Sequence, residues 1–231
     1  MEMPTADTSA DAYLSKSTYT VARVAADPKT KGLETALDAA HTSIKTTLRE
    51  RDDLEEQAQK KAALLDADDE ACDDVVEEFE LHLLGAVKKN RDNPKYKRYF
   101  ADGLRAVTTA EPREEEPKIV ADILESMAED ENDPEIGAIV TQWKPKLTAA
   151  RAKVIATVES LETTEKAIAY IKEKKLPVLM ATWREEYKKL EGALLTVYAS
   201  NPKRVARFFK PFRKNRKVSK LQSPVVPPES P

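Results

Sequence analysis

Glycine, cysteine and aromatic side chains are all scarce in this chain, and each shortage removes a class of structure. Only 5 glycines occur in 231 residues, aromatics make up 6%, and Cys72 is the one cysteine. Few glycines beside many Ala, Leu, Glu and Lys argue against a sheet protein and for long helices. A single thiol excludes an intrachain disulfide. Neither Gly-x-x-x-x-Gly-Lys nor Gly-x-Gly-x-x-Gly occurs, so neither common phosphate cradle is present. No Gly-x-Ser-x-Gly elbow accompanies the serines. No window approaches 18 consecutive apolar residues, which excludes a helix built to span a bilayer. Met1 to Thr5 carry neither a basic stretch nor an apolar run, so no secretory leader is expected and the cytoplasm is the expected location.

What is present is charge and helical periodicity. Charged residues reach 34%, above the ~25% of an average globular domain. The fold expected is all-α: an antiparallel bundle of four long helices, arranged as two repeated helical hairpins with short accessory helices. Residues 1–29 lack a sustained period and read as a poorly ordered amino-terminal segment, ending at Asp27-Pro28. The bundle domain is expected over 30–217. Leu33, Leu37, Ala40, Ile44, Leu48, Leu54, Ala58, Ala62 and Leu65 form the stripe of a first helix. An acidic turn near Asp68 would lead into a second helix, with Cys72, Val75, Val76, Phe79, Leu83 and Val87 facing inward. Ile136 to Ile171 traces a third helix, with Pro145 expected to kink or divide it. Leu176-Pro177 marks the next turn, and Leu179 to Tyr198 the fourth helix. Residues 218–231 are polar and Pro-rich and read as a disordered tail.

The repeat rests on an offset of 108 positions, which carries Asn93-Pro94-Lys95 onto Asn201-Pro202-Lys203, Phe79 onto Tyr187 and Phe100 onto Phe208. Two units of about 30–108 and 133–217 follow, joined by a connector over 109–132 that holds a short helix with Val120, Ile123 and Met127. Asn followed by Pro at the first helical position is a strong start signal in both copies.

Catalytic constellations are weak. Asp38 and His41, with Glu78 and His82, echo the carboxylate-histidine steps of metal-binding bundles. The two histidines, however, fall out of register on antiparallel helices. Asp66, Asp68, Glu70, Asp74 and Glu77 echo calcium-loop positions, but Ala71 stands where the turn glycine belongs. Cys72 sits among acids, which raise rather than lower a thiol pKa. No cofactor and no metal is expected.

The distinctive segment is 203–220, with nine Lys or Arg and no acid. The first 202 residues carry about −11, so a basic end adjoins an acidic body. Lys203, Arg204, Arg207, Lys210, Arg213, Lys214, Arg216 and Lys217 interleave with Phe208, Phe209 and Phe212. This mixture suits docking onto the chain's own acidic body, phosphates with bases stacked on the rings, an acidic protein, or an anionic membrane surface. The leading expectation is a non-enzymatic interaction or assembly protein that binds another protein or a second copy of itself. Nucleic-acid association through 203–220 is the alternative, and a metal-dependent bundle enzyme the remote one. Membrane-surface contact is the least expected of the anionic partners.

Overall fold

The computed structural model describes residues 3–5 and 8–210. Among them every regular element is helical: α1 (Ala10–Ala25), α2 (Thr35–Ala86), α3 (Pro94–Tyr99), α4 (Leu104–Thr108), α5 (Glu116–Asp130), α6 (Gly137–Tyr170), α7 (Leu176–Val197) and α8 (Pro202–Val205). The chain forms two compact units. The first takes the chain up to Thr47 and from Lys175 onward; the second is Leu48–Lys174.

Two long helical runs stand where four separate helices were expected. The acidic stretch around Asp68 does not turn; α2 continues through it for 52 residues. No Gly or Pro occurs between Thr35 and Leu84, and an Asp costs only about 0.6 kcal/mol in a helix interior. Burying Cys72, Val76, Phe79 and Leu83 on the same segment contributes about 1.5–3 kcal/mol for each large apolar side chain. The apolar face therefore outweighs the aspartates. The carboxylates that echo calcium-loop positions lie along this continuous helix, not in a loop.

The expected turn at Leu176-Pro177 is likewise absent. Residues Ile171–Lys175 form a π-helical turn that leads directly into α7. Pro177 has no N–H to give and its ring crowds the preceding carbonyls. A wider turn just upstream accommodates it without ending the helix. Pro145 lies inside α6 and does not divide it.

In the second unit α2 and α6 run antiparallel. Lys61 Nζ donates to the Ser160 carbonyl at 3.0 Å and to Thr164 Oγ1 at 2.7 Å, while Thr157 Oγ1 donates to Asp68 at 2.7 Å. Nearer the start of this stretch of α2, Glu55 pairs with Lys172 at 2.6 Å. The expected connector is part of the core, since α5 buries Val120, Ile123 and Met127. A tight turn joins α5 to α6. A Cβ on Gly137 would lie 2.6 Å from the Glu131 carbonyl oxygen, so no larger residue fits there unchanged. Phe79 packs edge-on to Tyr99 at 5.3 Å and beside Phe100 at 5.9 Å.

In the first unit α1 is a well-formed helix, not a poorly ordered segment. Tyr13, Lys16, Ser17, Thr20 and Val24 form its buried stripe. Three of these five are polar, which hid the stripe from hydrophobic periodicity. Ser17 Oγ donates to the Tyr13 carbonyl at 2.8 Å and meets His41 Nδ1 at 2.8 Å. Tyr13 packs edge-on to Trp183 at 4.7 Å, and Trp183 stacks on Tyr187 at 4.4 Å.

Candidate functional site

The site is built at the end of α7. That helix caps at Tyr198, and Asn201 restarts the chain by accepting the Arg204 N–H at 3.2 Å. Pro202 begins α8, and Ala206–Phe208 continue as a 3-10 turn. The turn is fastened by its aromatic side. Phe208 is 2% exposed and stacks on Tyr198 at 5.9 Å, while Phe209 packs edge-on to Tyr187 at 5.0 Å. Val205 is also buried. Phe208 and Phe209 therefore pack against other rings of the first unit.

A polar latch adds to this packing. Asp27 accepts from the Tyr198 hydroxyl at 2.6 Å, the Arg204 guanidinium at 2.8 Å and the Lys29 N–H at 3.1 Å. The Tyr198 hydrogen bond foremost, then the Lys29 N–H and Arg204, pull the Asp27 carboxyl down to about 2. Asp27 thus stays ionised at any physiological pH and holds Arg204 in place. The Arg204 guanidinium also lies 4.5 Å from the Tyr198 ring centre.

The opposite side of the turn is cationic. One groove of about 350 Å³ is lined by Arg23, Asn201, Lys203, Arg204, Arg207 and Phe208. A second, of about 490 Å³, is lined by Tyr19, Arg23, Arg207, Phe209 and Lys210. The two share Arg23 and Arg207, and no acid lines either. Arg23, Lys203, Arg207 and Lys210 are exposed and none forms an ion pair among the described residues. Arg23 lies over the Phe208 ring at 5.9 Å, and the Tyr19 hydroxyl donates to the Arg207 carbonyl at 3.4 Å.

The corresponding turn of the second unit provides an internal comparison. Asn93 accepts the Lys95 N–H at 2.8 Å and Pro94 begins α3. The cations that follow are all neutralised from within the unit. Lys95 pairs with Asp133 at 2.7 Å and Glu135 at 2.9 Å, and Lys97 with Asp92 at 2.8 Å. Arg98 pairs with Glu129 and, at 3.0 Å, with Asp130. Among the described residues of the first unit's turn, only Arg204 finds such a partner, in Asp27.

Of the residues singled out from sequence, Lys203, Arg204, Arg207, Lys210, Phe208 and Phe209 come together as described. Phe212, Arg213, Lys214, Arg216 and Lys217 lie outside the described residues. Sequence reading missed Arg23, Tyr19 and Asp27. The only available signal was the half-polar stripe of α1, which places Tyr19 and Arg23 away from its buried residues.

The other candidate constellations do not assemble. His41 contacts Ser17, whereas His82 Nδ1 lies 2.7 Å from the Glu78 carbonyl and its ring rests 5.1 Å from Trp143. The two histidines belong to different units. Among the described residues no group of three or more His, Cys, Asp or Glu side chains is placed to hold a metal ion, and no helix is long and apolar enough to cross a membrane. A depression of about 610 Å³ in the second unit is lined by charges of both signs, including Glu77, Arg91, Asp92, Lys97 and Arg105.

One buried titratable cluster stands apart from the basic grooves. Glu116, in the first turn of α5, is 1% exposed and sits with Cys72, Asp69 and Asp73 of α2. A helix amino terminus favours an anion by about 0.3–1 kcal/mol, but burial wins and pushes the Glu116 carboxyl up to about 8. Burial, then the neighbouring Asp69, likewise pushes Asp73 up to about 6. Cys72 is raised by burial and by Glu116, the reverse of what a reactive thiol needs. No family model matches this chain, and neither the curated proteins nor the solved structures yield a match.

Proposed function

We propose that the chain is a non-enzymatic interaction module that holds a negatively charged partner in the basic grooves of its first unit. One observation carries the reading. The same Asn-Pro turn occurs twice; in the second unit Lys95, Lys97 and Arg98 are paired with acids, whereas in the first, among the described residues, Arg204 alone is paired and Lys203, Arg207 and Lys210 are not. Cations kept on the surface without acids beside them are available to an external anion. The residues lining both grooves include no carboxylate, histidine or thiol able to move a proton or attack a substrate. Binding is therefore the better reading of this surface than catalysis. The local likeness of the two turns, down to their Asn caps, also supports the two-copy organisation suggested by the sequence offset.

Retention on a heparin resin tests the proposal. The chain carries a net charge of −3 at pH 7, so a uniform charge distribution predicts flow-through. A local cationic surface predicts retention at pH 7 and 50 mM salt, and loss of retention for Lys203→Ala/Arg207→Ala/Lys210→Ala. Flow-through of the unaltered chain would contradict the reading.

A further inference from the structure

We infer that the partner is the sugar-phosphate backbone of duplex nucleic acid, held without base readout; this rests on the anionic-partner reading above. The orientation of the rings decides against single strands. Proteins that bind single strands present aromatic faces on which bases stack. Here Phe208 is covered by Tyr198 and Phe209 faces Tyr187.

A protein partner would need a buried apolar or aromatic anchor at the centre of the contact. Five of the nine groove residues are Arg or Lys, and the rings among them are Tyr19, 42% accessible, the half-buried Phe209 and the buried Phe208. A membrane-surface helix needs an apolar face turned outward. Of the apolar residues of this turn, Val205 and Phe208 are buried, and the half-buried Phe209 packs edge-on to Tyr187. Backbone phosphate contact requires none of these features. It requires several cations in reach of successive phosphates, and such contacts position a duplex without reading its sequence.

The two grooves provide that arrangement. Because they share Arg23 and Arg207, they place Lys203 and Lys210 in one continuous cationic surface. Three of its five cations are arginines, whose planar fork matches phosphate oxygens. The remainder of the chain is acidic and repels a duplex, which confines contact to this surface.

Fluorescence anisotropy with the full chain tests the inference. The probes are two labelled 20-base-pair duplexes of unrelated sequence, a 20-nucleotide polythymidine strand, a polyglutamate peptide and phosphatidylserine vesicles. Both duplexes should bind equally well and more tightly than the other probes. With four or more phosphates neutralised, the slope of log K against log salt should be about −3 or steeper, a loss of roughly 60-fold between 50 and 200 mM. Lys203→Ala/Arg207→Ala, both at exposed positions, should flatten that slope by about 2. Lys97→Ala in the second unit should leave it unchanged. Circular dichroism confirms that each variant keeps its helix content. Binding of polyglutamate or vesicles in preference to duplex, lost in the double variant, would overturn the duplex inference and leave the anionic-partner reading standing. Tighter binding of the single strand, or a preference between the duplexes, would also overturn it. Binding of none of the probes would overturn both.

Discussion

Trp183→Ala should remove about 3–5 kcal/mol of stability, the range for truncating a large aromatic in a packed core. Trp183 is fully buried, with the edge of Tyr13 on one side and the stacked ring of Tyr187 on the other. Alanine there leaves a cavity between α1 and α7 that neither ring can fill without moving. The loss extends to the binding surface, because Tyr187 also supports Phe209, and α1 carries Arg23. The thermal midpoint should fall by about 10 °C for a chain of this size, and retention on heparin should weaken with it. Tyr170→Ala is the matched control, since Tyr170 is 61% exposed and substitution there should stay within about 0.5 kcal/mol. Calorimetry makes the comparison. Equal small losses for the two variants would mean that the aromatic stack does not hold the first unit together.

The second large effect concerns pH. Glu116 and Asp73 are both raised above ordinary carboxylate values by burial, to about 8 and about 6. The folded state therefore holds protons that the unfolded chain has released. The stabilisation linked to those protons is fully present below about pH 4. It is lost as pH rises through 6 and then 8, at up to about 1.4 kcal/mol per pH unit for each group while it titrates between its two states. Carboxylates held in ordinary ion pairs have the opposite sign and lose stability as pH falls. Asp27, pulled down to about 2, contributes stability that disappears only in strong acid.

Glu116→Gln mimics the protonated acid and has no charge to bury. It should flatten the decline in stability between pH 5 and 9 and leave the variant more stable than the natural sequence at pH 9. Urea unfolding at several pH values measures this. An unchanged slope would show that Glu116 is not the group whose proton is linked to folding.

The stripes and caps were legible in the sequence where their chemistry is local. Asn93 and Asn201 cap helices that begin with Pro, as their residue types require. Phe79, Leu83, Val140, Trp143, Leu147 and Val158 are buried as their spacing implies. The helix count was not legible. An aspartate run resembles a turn when propensity alone is weighed, and a Leu-Pro step resembles a stop. Packing on the apolar face of α2 and a π-helical turn before Pro177 override these signals. The connector helix α5 was visible, but its place in the second unit's core was not. Nothing in its sequence says that Gly137 allows α6 to fold back so closely.

The site was half legible. Charge asymmetry located Lys203, Arg207 and Lys210 on the chain, but not the direction of the rings between them. Val205 and Phe208 turn inward because they are the apolar residues of a short segment packing on Tyr198 and α1. The lysines and arginines are left outside by the same geometry. Asp27 and Arg23 are distant from this segment in sequence. Their roles arise only when α1 and the connection after it fold against the end of α7. No periodicity within either segment encodes that meeting.

An amide NMR titration of the whole chain with inorganic polyphosphate tests the assignment of the binding surface most directly. Shifts should concentrate at residue 23 and over 201–210, while amides over 91–99, whose cations are already paired with acids, remain in place. Shifts centred on Lys95, Lys97 and Arg98, or none at residues 203 and 207, would contradict the account.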